Sequence, residues 1–336
     1  AVRDWENGVY PPTSYLEPLA RALDVHPSAL EYDQSFSNPA NAPRFRTNAK
    51  LTNPEQREAT AFSRVASRAI LGVQASRGPF EHDHTMPSIA KLIEDVRGMS
   101  PKDAARSARS HFGIESGPVA ENIIELFEGA GIPVAFAPAN LANLDAISVD
   151  LEGTPMIFMN PHKGDADRQR FDGAHELGHV LMHRGREGGD ALEDEADAFA
   201  AEFLLPSAEL LPLLATAISH RTTNIARMWK QLALISREWM VSLDALIAEA
   251  KSQGILEDRP LTNRYKELAR KRDALGSKRL IKYPKMLQAA LQDVLASYGN
   301  NFGTVARHLQ VPVWVVKILA SRSPVLSTPS GPRPPA

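Results

Sequence analysis

The residues of this chain that could do chemistry lie in one short run, His175-Glu176-Leu177-Gly178-His179. Two histidines four positions apart share one face of a helix, so both imidazoles can reach one ion at the zinc–nitrogen distance of about 2.0–2.1 Å. The glutamate next to the first histidine is placed to hold the attacking water rather than the ion. The run therefore predicts a helix that carries a hydrolytic metal centre.

A third ligand is expected downstream, where the chain continues Glu193-Asp194-Glu195-Ala196-Asp197. Glu193 and Asp197 share a helical face, which suits one carboxylate on the ion and a second that orients a ligand histidine. We predict Glu193 as the ligand, with Glu195 as its substitute, and the shorter Asp197 in the supporting role. The other interpretation of this run is a solvated helix start, where the helix dipole favours acidic side chains.

The other histidines near these motifs are less informative. His183 lies one turn beyond His179, but it has rotated away from the shared face, so we expect it beside the site or at the surface. His82 and His84 belong to a polar cluster that could bind a metal weakly or form a solvated linker. His162 follows a predicted strand and could approach the cleft. The predicted ligand set therefore stays at two histidines and one carboxylate.

Helix and strand patterns surround this candidate site. The spacing of apolar residues predicts helices over 168–183 and 192–205. Before them, two apolar runs flank Glu152-Gly153 and predict a β-hairpin. The second strand of that hairpin, Met156–Asn160, is predicted as an edge on which an extended substrate segment could dock.

The composition excludes several classes of protein. Hydrophobic residues make up 43% and charged residues 23% of the 336 residues, which is typical of a folded chain. No apolar run approaches the roughly 18 residues of a membrane-spanning helix, and a formal net charge of −2 gives no global cationic field for nucleic acid. The chain has no cysteine, which excludes disulfides, thiolate ligands and cysteine nucleophiles. The first residues carry no basic or apolar leader, so we expect a cytoplasmic protein.

The motifs around the site resemble those of the ImmA/IrrE family of metallopeptidases. The resemblance rests on residues 171–183 and 193–206, and on a strand-turn-strand segment that leads into them. It covers about residues 100–210 of this chain. It implies a gluzincin-like fold with one zinc ion per chain, in a protein that often cleaves a repressor of the helix-turn-helix class.

Residue by residue, the resemblance assigns roles to the positions already singled out. His175, His179 and Glu193 match the zinc ligands of the family, and Glu176 matches its catalytic acid. The family often has asparagine where this chain has Asp197. Both side chains can accept a hydrogen bond from a ligand histidine, so the resemblance implies the same supporting role at this position.

The start of the chain resembles the latter half of a Cro/C1-type (XRE) helix-turn-helix domain. The resemblance rests on Trp-Glu-Asn-Gly at 5–8 and on the helical pattern at 16–25. In that fold the first of these motifs ends the recognition helix, which makes Arg3 and Asn7 the candidate DNA contacts. The first two helices of the domain are absent here, so we expect no sequence-specific DNA binding by this chain alone. The other interpretation is an unrelated amphipathic helix after a turn.

The predicted architecture is α+β and mostly helical, with a small β-sheet in a gluzincin-like metallopeptidase core and a helical C-terminal region. The predicted segments are a partial helix-turn-helix at 1–32, a linker with a helical segment at 33–99, the metallopeptidase core at 100–212, the helical C-terminal region at 213–322 and a disordered, proline-rich tail at 323–336.

Two functions are compatible with these features. The first is a zinc-dependent endopeptidase that cleaves a small helix-turn-helix repressor and so relieves repression in a stress or mobile-element response. The second is a DNA-binding regulator whose peptidase-like domain acts as a sensor without cleavage. The expected partners are a protein substrate, and DNA through a complete N-terminal domain, but no membrane. An intact His-Glu-x-x-His motif favours the endopeptidase.

Overall fold

The structure is a computed structural model that describes residues 12–23, 27, 43–47, 52–80, 88–138, 141, 143–161, 166–186, 189–221, 224–256 and 280–321. Several positions singled out from the sequence lie outside these residues: Arg3, Asn7, His82, His84, His162 and the tail at 323–336.

Helices dominate the described part of the chain, which confirms the predicted α+β, mostly helical fold class. The helices are α1 (Thr13–Leu23), α2 (Asn53–Arg77), α3 (Ile89–Asp95), α4 (Pro101–His111), α5 (Ile123–Gly129), α6 (Ala166–Met182), α7 (Asp190–Leu204), α8 (Ser207–Ile218), α9 (Ile225–Glu238), α10 (Leu243–Ser252), α11 (Met286–Ser297), α12 (Phe302–His308) and α13 (Val313–Ala320). The strands are β1 (Arg44–Thr47), β2 (Val134–Phe136), β3 (Leu144–Leu151) and β4 (Thr154–Met159).

The four strands form one mixed sheet in the order β1-β3-β4-β2. β3 and β4 form the predicted hairpin, with Leu151 opposite Thr154 next to its turn. Glu152 and Gly153 in that turn have φ of 53° and 83°, and two consecutive left-handed residues match the twist of the flanking strands. β2 pairs with β4 in parallel on the other side. The prediction that 156–160 forms a docking edge is therefore wrong, because β4 lies inside the sheet.

β1 pairs with the outer edge of β3. The two strands run antiparallel, with Arg44 opposite Ser148 and Arg46 opposite Ala146, and the register shifts before Thr47. At such a shift, one strand carries an extra residue. The side chains beyond it therefore point to the face of the sheet opposite to the one that regular alternation would give. Asp145 lies at this point of β3, and its side chain reaches Arg168 of α6 at 2.9 Å.

Helices cover both faces of the sheet. We call the face that bears Ile157 and Met159 the site face, since these side chains share one hydrophobic cluster with α3–α10. We call the opposite face, which bears Met156 and Phe158, the back face, since it packs against α2 and α11–α13. The alternation of side chains along β4 thus divides the protein into two cores that share one sheet.

Hydrogen bonds fix the C-terminal helices to the site-face helices. Glu128 at the end of α5 accepts the backbone N–H groups of Lys285 and Met286, each at 2.9 Å, and so caps the start of α11. Gln169 of α6 donates to the carbonyl of Lys282 at 2.9 Å and accepts its N–H at 2.8 Å. The start of α11 is therefore held against both α5 and α6.

Within the described ranges, no single helix is long and apolar enough to cross a membrane. The segments Asp190–Leu204 and Ser207–Arg221 meet that test only as a pair, and they are bent by 75° at the break between them.

Candidate metal centre

α6 carries the histidine motif and packs against β3 and β4. Arg168 in its first turn contacts Asp145 at 2.9 Å, and Arg184 just beyond its end contacts Asp150 at 3.0 Å. These two aspartates lie near opposite ends of β3, so the two ion pairs hold α6 alongside the strand. His175 lies midway between the two arginines, which places the centre of α6 level with the middle of β3.

Three side chains bring potential ligand atoms together beside α6. The Nε2 atoms of His175 and His179 lie 3.0 Å apart. Glu193, from α7, places one carboxylate oxygen 3.2 Å from Nε2 of His175 and the other 3.3 Å from Nε2 of His179. Two ligands of one tetrahedral zinc ion, each bonded at about 2.0–2.1 Å, lie about 3.3–3.4 Å apart. Among the residues that the structure describes, these three side chains therefore form a group with the spacing of ligands to a single ion.

The carboxylate of Glu193 is held in its charged form. Burial alone would raise the pKa of Glu193, but the hydrogen bonds and charges of His175 and His179 outweigh it and keep that pKa far below its ordinary value. The histidine side chains are 1% and 0% exposed, whereas that of Glu193 is 44% exposed. The centre therefore opens to solvent on the side of α7.

Glu176 lies next to the first of these histidines and is fully buried. Neither of its carboxylate oxygens has a hydrogen-bond partner within the described part of the chain. A buried carboxylate without a partner is costly, and in native proteins it marks a functional site or a place that water or an ion completes. The residues present therefore fit a metal ion together with a water molecule held by Glu176.

Asp197 supports the first histidine from behind. Its Oδ1 lies 2.8 Å from Nδ1 of His175. Because Nε2 of this ring faces the other ligand atoms, Nδ1 carries the proton and donates it to the carboxylate. Asp197 lies one turn beyond Glu193 on α7, so one helix supplies both carboxylates. Such a carboxylate fixes the orientation of a ligand ring and raises its basicity.

His179 is supported in a different way. Its Nδ1 lies 2.7 Å from Nδ1 of His183, which is fully buried rather than at the surface. Nε2 of His183 lies 3.0 Å from Oε2 of Glu195. Arg186 donates to both oxygens of Glu195, at 2.7 and 3.2 Å. Glu195, considered from the sequence as a substitute for Glu193, thus contacts His183 and Arg186 instead.

Sequence reasoning missed this second arrangement. The available signal was the spacing of four between His179 and His183, which repeats that of the motif itself. Nothing in the sequence showed that Glu195, from the next helix, would lie on the far side of His183. That contact depends on how α6 and α7 pack.

A close approach of α7 to α6 brings Glu193 to the histidines. A Cβ atom at Gly178 would lie 3.1 Å from the ring of Phe199 and within 3.3 Å of two further atoms of that side chain. Glycine is therefore the residue that lets the two helices pack at this distance. The sequence of α6 thus meets two requirements: its histidines can bind the ion, and Gly178 allows the close contact with α7.

The comparisons with known proteins support this interpretation. Residues 127–251 match the family model of the IrrE N-terminal-like domain, a family of metal-dependent peptidases. The match supports the resemblance to the ImmA/IrrE family, and the class of protein that it indicates is a metallopeptidase. A search of the curated proteins found no match of significance.

The matched region contains every residue of the candidate metal centre. It begins within α5 and ends within α10, so it extends beyond the predicted core boundary at 212. It leaves out β1, α1–α4 and α11–α13. The helix-turn-helix predicted at the start of the chain has no counterpart in this match and stays a prediction.

Proposed function

We propose that this protein is a zinc-dependent endopeptidase. The observation that carries the proposal is a set of three ligand atoms spaced for one ion, next to a buried Glu176 whose carboxylate has no hydrogen-bond partner among the described residues. The family match at 127–251 supports the peptidase class. Two imidazoles and one carboxylate suit zinc, so we propose one zinc ion per chain, held by His175, His179 and Glu193.

Each residue of the centre has a role in the proposed hydrolysis. When bound, zinc would supply a Lewis acid for the scissile carbonyl and increase the acidity of a water molecule. Glu176 takes a proton from the attacking water and returns it to the leaving amine, so that a C–O bond forms as the C–N bond breaks. Asp197 holds the ring of His175 in place during this sequence.

The proposed substrate is a small helix-turn-helix repressor that is cut at one exposed bond. Cleavage would relieve repression in a stress or mobile-element response. The support for this part is the resemblance of the site motifs to the ImmA/IrrE family, together with the resemblance of residues 5–8 and 16–25 to a DNA-binding domain. We propose the cytoplasm as the location, since a repressor acts there, and DNA as a partner of the complete N-terminal domain.

The decisive experiment is Glu176→Gln, assayed on a candidate repressor encoded next to the gene. The glutamine amide has nearly the same size but cannot take a proton. We expect zinc content to stay at the wild-type level while cleavage falls by about 10²–10⁴-fold. His175→Ala is the matched variant in which zinc and cleavage should be lost together. Mass spectrometry of the purified proteins measures the metal.

Two outcomes would contradict the proposal. Equal cleavage by the wild type and by Glu176→Gln would show that Glu176 is not the general base of the reaction. A wild-type protein that cleaves no candidate, while Glu176→Gln still restores the transcriptional phenotype of a deletion strain, would favour a regulator that senses without cleavage.

A further inference from the structure

The ligand His179 is connected to the protein surface through a second histidine. The path runs from Nδ1 of His179 to Nδ1 of His183 at 2.7 Å, and from Nε2 of His183 to Glu195 at 3.0 Å. We propose that His183 is a positioning residue: it links His179 to the Glu195–Arg186 ion pair and so fixes the ring orientation and the proton position of this ligand. The inference rests on the metal centre of the proposed function.

The geometry determines where each proton lies along this path. Nε2 of His179 faces the other ligand atoms, so its ring proton is on Nδ1 and points at His183. Nδ1 of His183 must then accept, which leaves its own proton on Nε2, directed at the Glu195 carboxylate. Arg186 donates twice to that carboxylate and keeps it charged. Every donor on the path therefore meets an acceptor.

Burial explains why a histidine stands between the ligand and the carboxylate. The side chains of His179 and His183 are 0% exposed, whereas that of Glu195 is 35% exposed. A carboxylate placed directly behind His179 would be a charge in the interior, which is costly. The neutral ring of His183 spans this distance and leaves the charge near solvent. Asp197 needs no such intermediate, since its side chain is 54% exposed.

If His183 served only to fill space, the side chains tolerated at position 183 would differ from those that the proposed role requires. The rings of His179 and His183 contact each other with centroids 4.8 Å apart. If contact were sufficient, an apolar ring of similar volume would serve equally well. If the acceptor matters, an apolar ring leaves the N–H of His179 buried without a partner, and the ligand loses the group that orients it.

The test compares His183→Phe with His183→Asn. Phenylalanine fills the space but offers no acceptor, whereas the side-chain oxygen of asparagine can lie where Nδ1 of the histidine lies. We expect zinc affinity, measured by competition with a chelating dye, to fall about 10- to 100-fold in His183→Phe and to recover for the most part in His183→Asn. Asparagine leaves a void, so the metal-free His183→Asn protein should be the less stable of the two. Affinity and stability should therefore rank in opposite orders.

A second pair of variants tests the charge at the end of the path. Glu195→Gln keeps an acceptor for His183 but removes the charge, so its loss of zinc affinity should be smaller than that of His183→Phe. Asp194→Asn removes an exposed carboxylate from the same turn of α7 and should leave the affinity unchanged. The visible absorption of the cobalt-substituted proteins should shift in the same order.

Wild-type zinc affinity in His183→Phe, or affinities that follow the stabilities of the metal-free variants, would overturn the inference. A wild type that binds zinc but cleaves no substrate would refute the peptidase proposal alone, because these measurements need no substrate. A wild type that binds no zinc would overturn both.

Discussion

The two faces of the sheet bury side chains of different kinds. The site-face helices bury charged and strongly polar groups, among them Arg109, Glu128, Gln169, Arg170, Asp172, His175, Glu176, His179, His183 and Glu202. In the described back-face helices, the buried polar side chains are Ser63, Ser67 and Gln288. The site face therefore holds the groups that chemistry needs, whereas the back face is close to a purely apolar core.

This difference indicates a division between function and stability. Buried charges cost free energy unless they are paired or hydrogen-bonded. On the site face Arg109 donates to the carbonyls of Phe203 and Gly117 at 2.8 and 2.6 Å, and Arg170 donates to the carbonyl of Val119 at 3.2 Å. Such bonds offset the cost of burial, whereas apolar contacts on the back face add stability directly. Substitutions on the two faces should therefore have separable effects.

The largest effect is expected from Phe62→Ala on the back face. Phe62 lies edge-on to Phe158 with ring centroids 5.4 Å apart and stacks on Trp314 at 6.5 Å. Removal of a buried phenylalanine ring costs about 3–5 kcal/mol in the free energy of unfolding. Urea denaturation measures this loss, and a zinc titration under native conditions should give the wild-type affinity. Gln56→Ala, on the exposed side of α2, is the control, with a change within about 0.5 kcal/mol. A fall in the zinc affinity of Phe62→Ala would disprove the division between function on the site face and stability on the back face.

A smaller loss of stability is expected from Gly178→Ala on the site face, and in contrast to Phe62→Ala it should be accompanied by a loss of zinc affinity. The added methyl group would meet the ring of Phe199 at 3.1 Å and push α7, with Glu193, away from the histidines. Overpacking costs about 1–3 kcal/mol, reduced by the gain of about 1 kcal/mol from the better helix propensity of alanine. Zinc affinity should fall as well.

Gly72→Ala on α2 is the matched variant for the other face. Its Cβ would lie 2.8 Å from the end of the Leu309 side chain, so it also overpacks the protein. Thermal unfolding should register the strain, while the zinc titration should match wild type. Equal losses of zinc affinity in the two variants would show that the faces are coupled.

The smallest effect is expected from Glu128→Gln, where the two faces are joined. Burial raises the pKa of Glu128, against the lowering effect of the N–H groups of Met286 and Lys285. The folded state therefore binds this proton more tightly than the unfolded state, and the contribution of Glu128 to stability falls as pH rises from the ordinary value toward the raised pKa. Glutamine accepts the same N–H groups without a charge, so this part of the pH dependence should disappear.

The measurement is the difference between wild-type and variant free energies of unfolding across the mildly acidic range. At neutral pH the two proteins should differ by less than about 1 kcal/mol, since both keep the cap of α11. If the free energies of unfolding of the two proteins differed by the same amount at every pH, the pKa of Glu128 would be the same in the folded and unfolded states.

Local patterns predicted much of this structure. The hairpin around Glu152-Gly153 is confirmed, because a two-residue turn and the flanking apolar runs specify both strands. Ser242 is the N-cap of α10, where it accepts the N–H of Ala245 at 3.1 Å, and serine before an apolar helical run is a local signal for such a cap. The spacing of His175 and His179 placed both rings on one side of α6, since a helix fixes that relation by itself.

The parts that could not be predicted depend on segments distant in sequence. β2 has three residues, too few for a strand pattern to reveal its parallel pairing with β4. The cap that Glu128 provides for α11 joins residues more than 150 positions apart. The contact of His183 with Glu195 depends on the angle at which α7 returns along α6. Tertiary packing and the order of the strands in the sheet decide such contacts, and neither produces a periodic pattern in the sequence.

The pairing of β1 with β3 has a consequence for any shortened form of this protein. A fragment trimmed to 127–251 would retain every side chain of the metal centre but lose β1, α1–α4 and α11–α13. The outer edge of β3 would then present unpaired N–H and C=O groups beside a bare apolar face, which is a template for aggregation. We expect such a fragment to precipitate with its ligands intact, so the smallest unit that can be handled in solution is larger than the unit that binds the ion.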